Sequence, residues 1–442
     1  MSPISANAQS TAAKQAVIRD TEIENLLRDY ANPIFTAAGI KRGTVQIVLV
    51  GDRSFNAFVA DGRRMFVNIG ALMDAKTPNE IIGIIAHETG HIVGGHLSRL
   101  REQLANAQIL AVVGMLLGAG ALAGAAVGGN KVGNSGIGAA GVMAGSQEMV
   151  RRSLLSYQRG EEQAADRMAV TYLNASHQSA KGILDTFQRF AQESMFKTSS
   201  IDPYLVSHPL PADRIANLEN LARQSPYFNV KDPAALQQRH DMMRAKLFGF
   251  AGRADEVARR YPLGDTSLAA RYARAISAYR SKRLADALTQ IDGLMREQPN
   301  NPYFVELKGQ VLLEFGRAKE AIPLLRRAVA MAPSSALIKV LLGQALVASG
   351  TKANVDEAIR ELSNAVQREP EYTEGWQVLS QAYGMKDDIG MASYAAAQAY
   401  FIAGDYKMAA TQATRAKEKL PPKSPGWLKA DDILNTQPPK KE

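Results

Sequence analysis

The chain opens with a segment that reads as a helix from about Asp20 to Ala38, after which the apolar residues change rhythm. Val45-Gln-Ile-Val-Leu-Val50 is β-branched and apolar, which predicts a strand. Ala57-Phe58-Val59-Ala60 and Arg64-Met65-Phe66-Val67-Asn68 flank Asp61-Gly62, a dipeptide that accepts the positive φ angles of a tight hairpin, so a small antiparallel sheet is expected. In Thr77-Pro78-Asn79-Glu80, Thr can cap orphan amides, Pro fits the first helical turn and Glu completes a capping box. A helix is thereby launched through Ile81-Ile82-Gly83-Ile84-Ile85-Ala86 into His87-Glu88-Thr89-Gly90-His91.

Charge then disappears from Leu104 to Asn130 and from Val132 to Gln147. Length alone permits a membrane span, and Gly120, Gly124 and Gly128 repeat as in packed membrane helices. Ala and Gly dominate, however, so residues 104–147 are expected to form a Gly/Ala-rich helical hairpin beside the site, grazing a membrane surface rather than crossing it. A helix containing Gln158 to Leu173 follows, then a Pro-rich loop over Phe196 to Asp213, and helix resumes at Pro211-Ala-Asp-Arg-Ile-Ala-Asn-Leu218. Beyond a helical join, a repeat appears. In the unit starting at Pro302, Gly309, Gly316, Ala321, Ala328 and Pro333 fall at tetratricopeptide spacing. The frame recurs with Ala275, Ala287 and Pro299 before it and with Gly343, Gly350, Ala358, Ala365 and Pro370 after it, allowing an insertion. Trp376, Leu379 and Tyr383 open another unit, and Gly404, Ala409, Ala416 and Pro421 close the last. Stacked helix pairs of this kind bury one continuous core and present a concave binding surface.

With 442 residues, at least two domains are expected. Lys and Arg number 52 against 43 Asp and Glu, a net charge of +9 that favours anionic surfaces. The basic residues are dispersed, with no stripe interleaved by aromatics, so nucleic acid is not expected as a partner. The absence of cysteine excludes disulfides, thiolate metal sites and cysteine catalysis, leaving His and carboxylates to hold any metal. No signal peptide is visible, although Ala6-Asn7-Ala8 has the form of a cleavage site.

On a helix His87 and His91 share a face and can hold one Zn²⁺, with Glu88 beside them to take a proton from the water that the metal polarises. A third ligand is needed. His96 is nine residues past His87, half a turn away at roughly 100° per residue, so it is expected to serve a structural or supporting role. Arg159-Gly-Glu161-Glu162-Gln-Ala-Ala-Asp166 places two carboxylates four apart. Glu162 can complete a His₂Glu site while Asp166 fixes the tautomer of a ligand His; Glu161 is the rival ligand, without an acidic partner four residues on. His177 and His240 are expected at the surface.

Taken together, His-Glu-x-Gly-His-x4-His, Arg-x-x-Glu-x-x-x-Asp and Ser-His-Pro-Leu-Pro-x-x-Arg resemble the gluzincin family of CAAX prenyl proteases and HtpX-type membrane proteases. With the repeats appended, the chain is similar to the family's soluble periplasmic branch over nearly its whole length. That resemblance implies one Zn²⁺ on His87, His91 and Glu162, Glu88 as general base, and Asp166 supporting them. It implies that His208 stabilises the oxyanion or binds zinc as an inhibitory fourth ligand, and that Arg214 supports the site and the substrate carbonyl. Asn56, Ala57 and Phe58 would be the edge strand that pairs with substrate. The expected architecture is α+β, a mainly helical zincin-type metalloprotease domain with a small antiparallel sheet over residues 1–255. An all-α tetratricopeptide solenoid over 256–425 and a basic tail over 426–442 follow. The expected function is hydrolysis of misfolded or stalled envelope proteins in the periplasm, the repeats engaging substrate or the outer-membrane assembly machinery. A latent protease acting chiefly as chaperone or adaptor is the alternative, and an integral-membrane protease a third.

Overall fold

The computed structural model describes residues 17–60, 62–100, 102, 158–196, 204–205 and 208–436. The expected hairpin at 104–147 and the turn residue Asp61 lie outside the described residues. The described residues divide into two compact units, one within Met1–Ile18 and Ile23–Arg244, the other within Arg19–Glu22 and Ala245–Glu442.

In the first unit, helix α1 (Thr21–Ala37) buries Ile23, Leu26, Leu27, Tyr30, Ala31 and Ile34, the spacing of one helical stripe. A four-stranded sheet of β1 (Val17–Ile18), β2 (Gln46–Val50), β3 (Ala57–Val59) and β4 (Arg64–Asn68) runs in the order β1-β2-β4-β3. The 57–68 hairpin forms as expected, with Gly62 at a φ of 74° in its turn. The wholly antiparallel sheet does not. β4 returns from the hairpin into the slot beside β2 and pairs with it in parallel, Gln46 opposite Arg64 through Val50 opposite Asn68, so the sheet is mixed and β3 is an edge.

Helix α2 (Ile69–Asp74) leads into α3 (Pro78–Gly94), every residue of which from Pro78 to Gly90 is buried. The Thr77 side chain makes no cap hydrogen bond, correcting the expected capping box. Instead Asp232 accepts from the Asn79 amide at 3.0 Å, and Glu80 accepts from the Lys76 amide at 2.9 Å. Both carboxylates sit at the positive end of the helix dipole. Helix α4 (residues 158–175), α5 (Lys181–Phe196), α6 (Ala212–Arg223) and α7 (Ala234–Ala251) follow, with α5 packed on α3 through Ile183, which lies directly against Gly83.

In the second unit, α8 (Ala254–Arg260) precedes five helix pairs: α9 (Leu268–Arg280) with α10 (Leu284–Glu297), α11 (Pro302–Glu314) with α12 (Ala318–Met331), α13 (Ala336–Ala348) with α14 (Lys352–Arg368), α15 (Thr373–Met385) with α16 (Ile389–Ile402), and α17 (Tyr406–Lys419) with α18 (Pro425–Asn435). Gly309 and Gly343 lie against Leu325 and Leu362 at equivalent places of successive pairs. Gly316 and Gly350 take φ of 76° and 67° between paired helices, and Gly404 a φ of 80° between successive pairs, where a left-handed residue turns the chain without steric cost. Residues 425–435, most of which were expected to be tail, form α18 because Ala430 and Ile433 complete the repeat core.

Candidate metal centre

Helix α3 brings His87, Glu88 and His91 to the middle of the first unit, where His87 is 0% and Glu88 1% exposed. Nε2 of His87 and of His91 lie 3.1 Å apart, as the shared face of an i, i+4 pair requires. Helix α4 supplies Glu162, whose two carboxylate oxygens lie 3.4 Å from those same nitrogens, one each. The approach of α4 is permitted by Gly90: a methyl group there would come within 2.9 Å of the Cα and carbonyl oxygen of Ala165. His208, just before α6, completes the cluster with Nδ1 3.1 Å from both Glu162 oxygens. One ligand atom from each of His87, His91, Glu162 and His208 falls within 4.8 Å of all the others.

A second layer holds these four. Asp166 Oδ1 lies 2.9 Å from His87 Nδ1, the nitrogen facing away from the cluster. Arg214 donates from Nε and Nη2 to the two Asp166 oxygens at 2.7 and 2.9 Å, a bidentate grip, and from Nη1 to the Pro209 carbonyl at 2.9 Å. Nη1 also lies 2.8 Å from Glu162 Oε2, so one guanidinium ties α4 to the loop carrying His208. Phe187 of α5 packs its ring under Arg214 at 5.0 Å and edge-on to His87 at 6.0 Å.

Three buried carboxylates, Glu88, Glu162 and Asp166, face one buried guanidinium, Arg214. Burial works against ionising Glu162 and Asp166, but His208 and His87 hold the first, and Arg214 with His87 the second, below the usual carboxylate range. Burial, aided by the Glu162 charge and opposed by His208, His87 and Arg214, pushes the Glu88 carboxyl up. Burial also opposes the His87 imidazolium, yet Asp166 and Glu162 outweigh it and raise its pKa to about 9, while burial and the neighbouring His87 keep His91 well below its ordinary value. The cluster therefore attracts positive charge. The donor set fits a zinc ion: ligands held about 2.0–2.1 Å from a tetrahedral centre lie about 3.3 Å from one another, and the observed separations among His87, His91 and Glu162 are 3.1, 3.4 and 3.4 Å. Oε1 of Glu88 and Nε2 of His208 are buried, make no hydrogen bond and face each other across 3.5 Å at its edge.

Residues 18–222 match the family profile described as Peptidase family M48. The chain carries an M48 peptidase domain. Residues 272–336 and 312–382 match tetratricopeptide repeat profiles. The beta-barrel assembly-enhancing protease of Yersinia pestis is 26% identical over 387 residues, covering 85% of this chain and 76% of its own. The protein of the same name in Escherichia coli (strain K12) is 22% identical over 413 residues, covering 91% of this chain and 80% of its own. Among solved structures, MamA 41-end from Desulfovibrio magneticus RS-1 is similar over 38% of this chain and 94% of that one, with 23% identity and a TM-score of 0.32.

Several residues of the M48 domain sit otherwise than spacing implied. Helix α3 ends at Gly95, whose φ of 65° turns the chain back, so His96 does not face away but lies with Nδ1 2.8 Å from His91 Nδ1. Glu161, the rival ligand, points to His96 and Arg99 instead. Arg214 is 2% exposed and engaged by Asp166, Glu162 and the Pro209 carbonyl, so it braces these residues of the site. Ala57 and Phe58 belong to the edge strand β3; Asn56 lies just before it and accepts from the Asn68 amide. Phe58 and Val59 line a cleft of about 260 Å³ together with Glu88, His91, His96 and His208. His177 is exposed and stacks on Tyr227, but His240 is fully buried, correcting its expected surface place: Nδ1 meets the Tyr30 hydroxyl at 2.9 Å and Nε2 the Ala75 carbonyl at 3.0 Å. Sequence reasoning missed Tyr204, fully buried with its ring 4.7 Å from that of His208. Its place four residues before His208, whose amide donates to the Tyr204 carbonyl at 2.7 Å, is the signal that could have found it.

Proposed function

We propose that this chain is a zinc-dependent endopeptidase of the bacterial envelope, acting in the periplasm on misfolded or stalled outer-membrane proteins. The observation that carries this is the His87, His91, Glu162 cluster with Oε1 of the buried Glu88 carboxylate, which makes no hydrogen bond, at its edge, inside an M48 domain. One Zn²⁺ held by His87, His91 and Glu162 would supply Lewis acidity to the scissile carbonyl and lower the pKa of the attacking water. Glu88, its carboxyl raised by burial, accepts the proton of that water and delivers it to the leaving amine. Nε2 of His208 can donate to the developing oxyanion. Asp166 and Arg214 fix the ring of His87 and the carboxylate of Glu162. Substrate backbone adds to the open edge of β3 along the cleft. The repeats hold the substrate or the outer-membrane assembly machinery, in keeping with the names of the relatives. The test is cleavage of an unfolded outer-membrane protein by the purified chain. Activity should vanish with chelator, return with zinc and be absent in Glu88→Gln; activity that survives both treatments rules the assignment out.

A second reading rests on His208, which stands among the ligands and can occupy the fourth position. The protease is then latent, and the repeats act as chaperone or adaptor until the loop bearing His208 moves. In cells, an adaptor tolerates Glu88→Gln and fails when the repeats are deleted; a protease fails with both.

A further inference from the structure

The ligand His87 is braced directly by the Asp166 carboxylate, but among the described residues no carboxylate touches the outer nitrogen of His91. That nitrogen meets His96 Nδ1 at 2.8 Å, and the other nitrogen of His96 meets Glu161 Oε2 at 2.5 Å. Arg99 anchors Glu161 in turn at 2.8 Å. We propose that His96 is a positioning residue which, through Glu161 and Arg99, sets the tautomer and ring orientation of the zinc ligand His91. This rests on reading the cluster as a zinc site.

The direction of the chain of hydrogen bonds follows from chemistry alone. An ionised carboxylate only accepts, so Glu161 takes the proton of His96 Nε2. Neutral His96 then presents a bare Nδ1, which accepts from the Nδ1–H of His91. His91 is left with its lone pair on Nε2, the atom facing His87 and Glu162. Each link is fixed by the one before it, and the last is the form a metal ligand must have.

The backbone is built for this arrangement. Gly95 adopts the left-handed conformation that reverses the chain after α3, and Gly94 has no side chain because the His96 ring occupies its place: a methyl at 94 would fall 2.1 Å from Nε2 and 2.5 Å from Cδ2. His96 is 5% exposed, and its partner Glu161 directly precedes the ligand Glu162 on α4. The two helices that supply the ligands are therefore joined by a second connection beside the metal.

The experiment measures zinc affinity of the full chain by competition with a chromophoric chelator, and the visible spectrum of the Co²⁺-loaded chain. His96→Leu fills the space without hydrogen bonding and should weaken zinc about 10- to 100-fold while altering the intensity of the cobalt bands. His96→Gln, which can accept and donate in the same order, should recover most of the affinity. Gly94→Ala, which displaces the ring, should behave like His96→Leu, and Glu161→Ala should give an intermediate loss. If His96→Leu or, should that variant not fold, Glu161→Ala binds zinc as tightly as the parent with an unchanged cobalt spectrum, the positioning role is overturned. The zinc-site reading fails separately: the parent would then hold no stoichiometric zinc, or His87→Ala would hold it as well as the parent.

Discussion

Gly90 of α3 and Ala165 of α4 stand so close that a single methyl on residue 90 would lie 2.9 Å from the Ala165 backbone. This contact sets the spacing between the helix that carries the two histidines and the helix that carries Glu162. On an open helix face, replacing Gly with Ala stabilises by up to about 1 kcal/mol. Here the reverse is expected. Gly90→Ala must push backbone from backbone, costing about 1–3 kcal/mol of unfolding free energy measured by chemical denaturation. Zinc affinity should fall with it, because Glu162 retreats from His87 and His91. A stabilised variant that keeps its metal would show that the two helices are not set by this contact.

Arg214 contributes to the site at second hand. Lysine in its place keeps the positive charge but cannot grip both oxygens of Asp166 while reaching Glu162 and the Pro209 carbonyl. Arg214→Lys should lower zinc affinity by about 10- to 100-fold. Arg214→Met, which leaves two buried carboxylates without their cation, should in addition lose about 3–5 kcal/mol of stability. Metal content after dialysis and thermal unfolding of the same samples separate the two effects.

The features of the site that could be read in advance are those encoded within a helical turn. His87 with His91, and Glu162 with Asp166, each lie four apart, and that spacing suffices to put them on one face. The repeats were legible for the same reason, since small residues recur where paired helices touch. What could not be read depends on partners distant in sequence or on a single backbone angle. The position of His96 turns on the left-handed Gly95, which converts half a turn of helix into a return toward His91. The burial of His240 needs Tyr30 and Ala75, and the cap of α3 needs Asp232, residues about a hundred or more positions from their partners. Spacing likewise could not tell that β4 would slot beside β2 in parallel, because that register belongs to the sheet as a whole.

His240 gives the M48 domain a pH dependence that its catalytic groups do not explain. The Ala75 carbonyl can only accept, so Nε2 carries the proton and Nδ1 accepts from Tyr30. Burial, opposed in part by that carbonyl, pushes the imidazole pKa down to about 4. The unfolded chain, with a pKa of about 6.5, therefore takes up a proton first as pH falls. Stability is full above about pH 6.5 and is lost progressively down to about pH 4, amounting to about 2 kcal/mol between pH 7.5 and pH 5. His240→Gln should remove this component, so the difference between parent and variant in urea midpoint must itself change with pH. A constant difference would show that His240 is protonated to the same extent folded and unfolded.

The repeat unit offers a matched pair of glycines for testing how its helices are held. Gly309 on α11 faces Leu325 of the partner helix α12 so closely that a methyl would come within 2.5 Å of Cδ2 and 2.6 Å of Cγ. Gly293, inside α10, has no neighbour nearer than the tip of Arg296 at 3.9 Å. Both lie within helices, where Ala is the better former by about 1 kcal/mol. Gly293→Ala should therefore raise the denaturation midpoint, its gain uncompensated by any clash. Gly309→Ala must displace Leu325, which is itself fully buried and cannot swing into solvent. A net loss of about 1–2 kcal/mol is expected there. The two substitutions are chemically identical, so a common sign would mean that helix propensity governs this unit; opposite signs mean that close packing of small residues against leucine does.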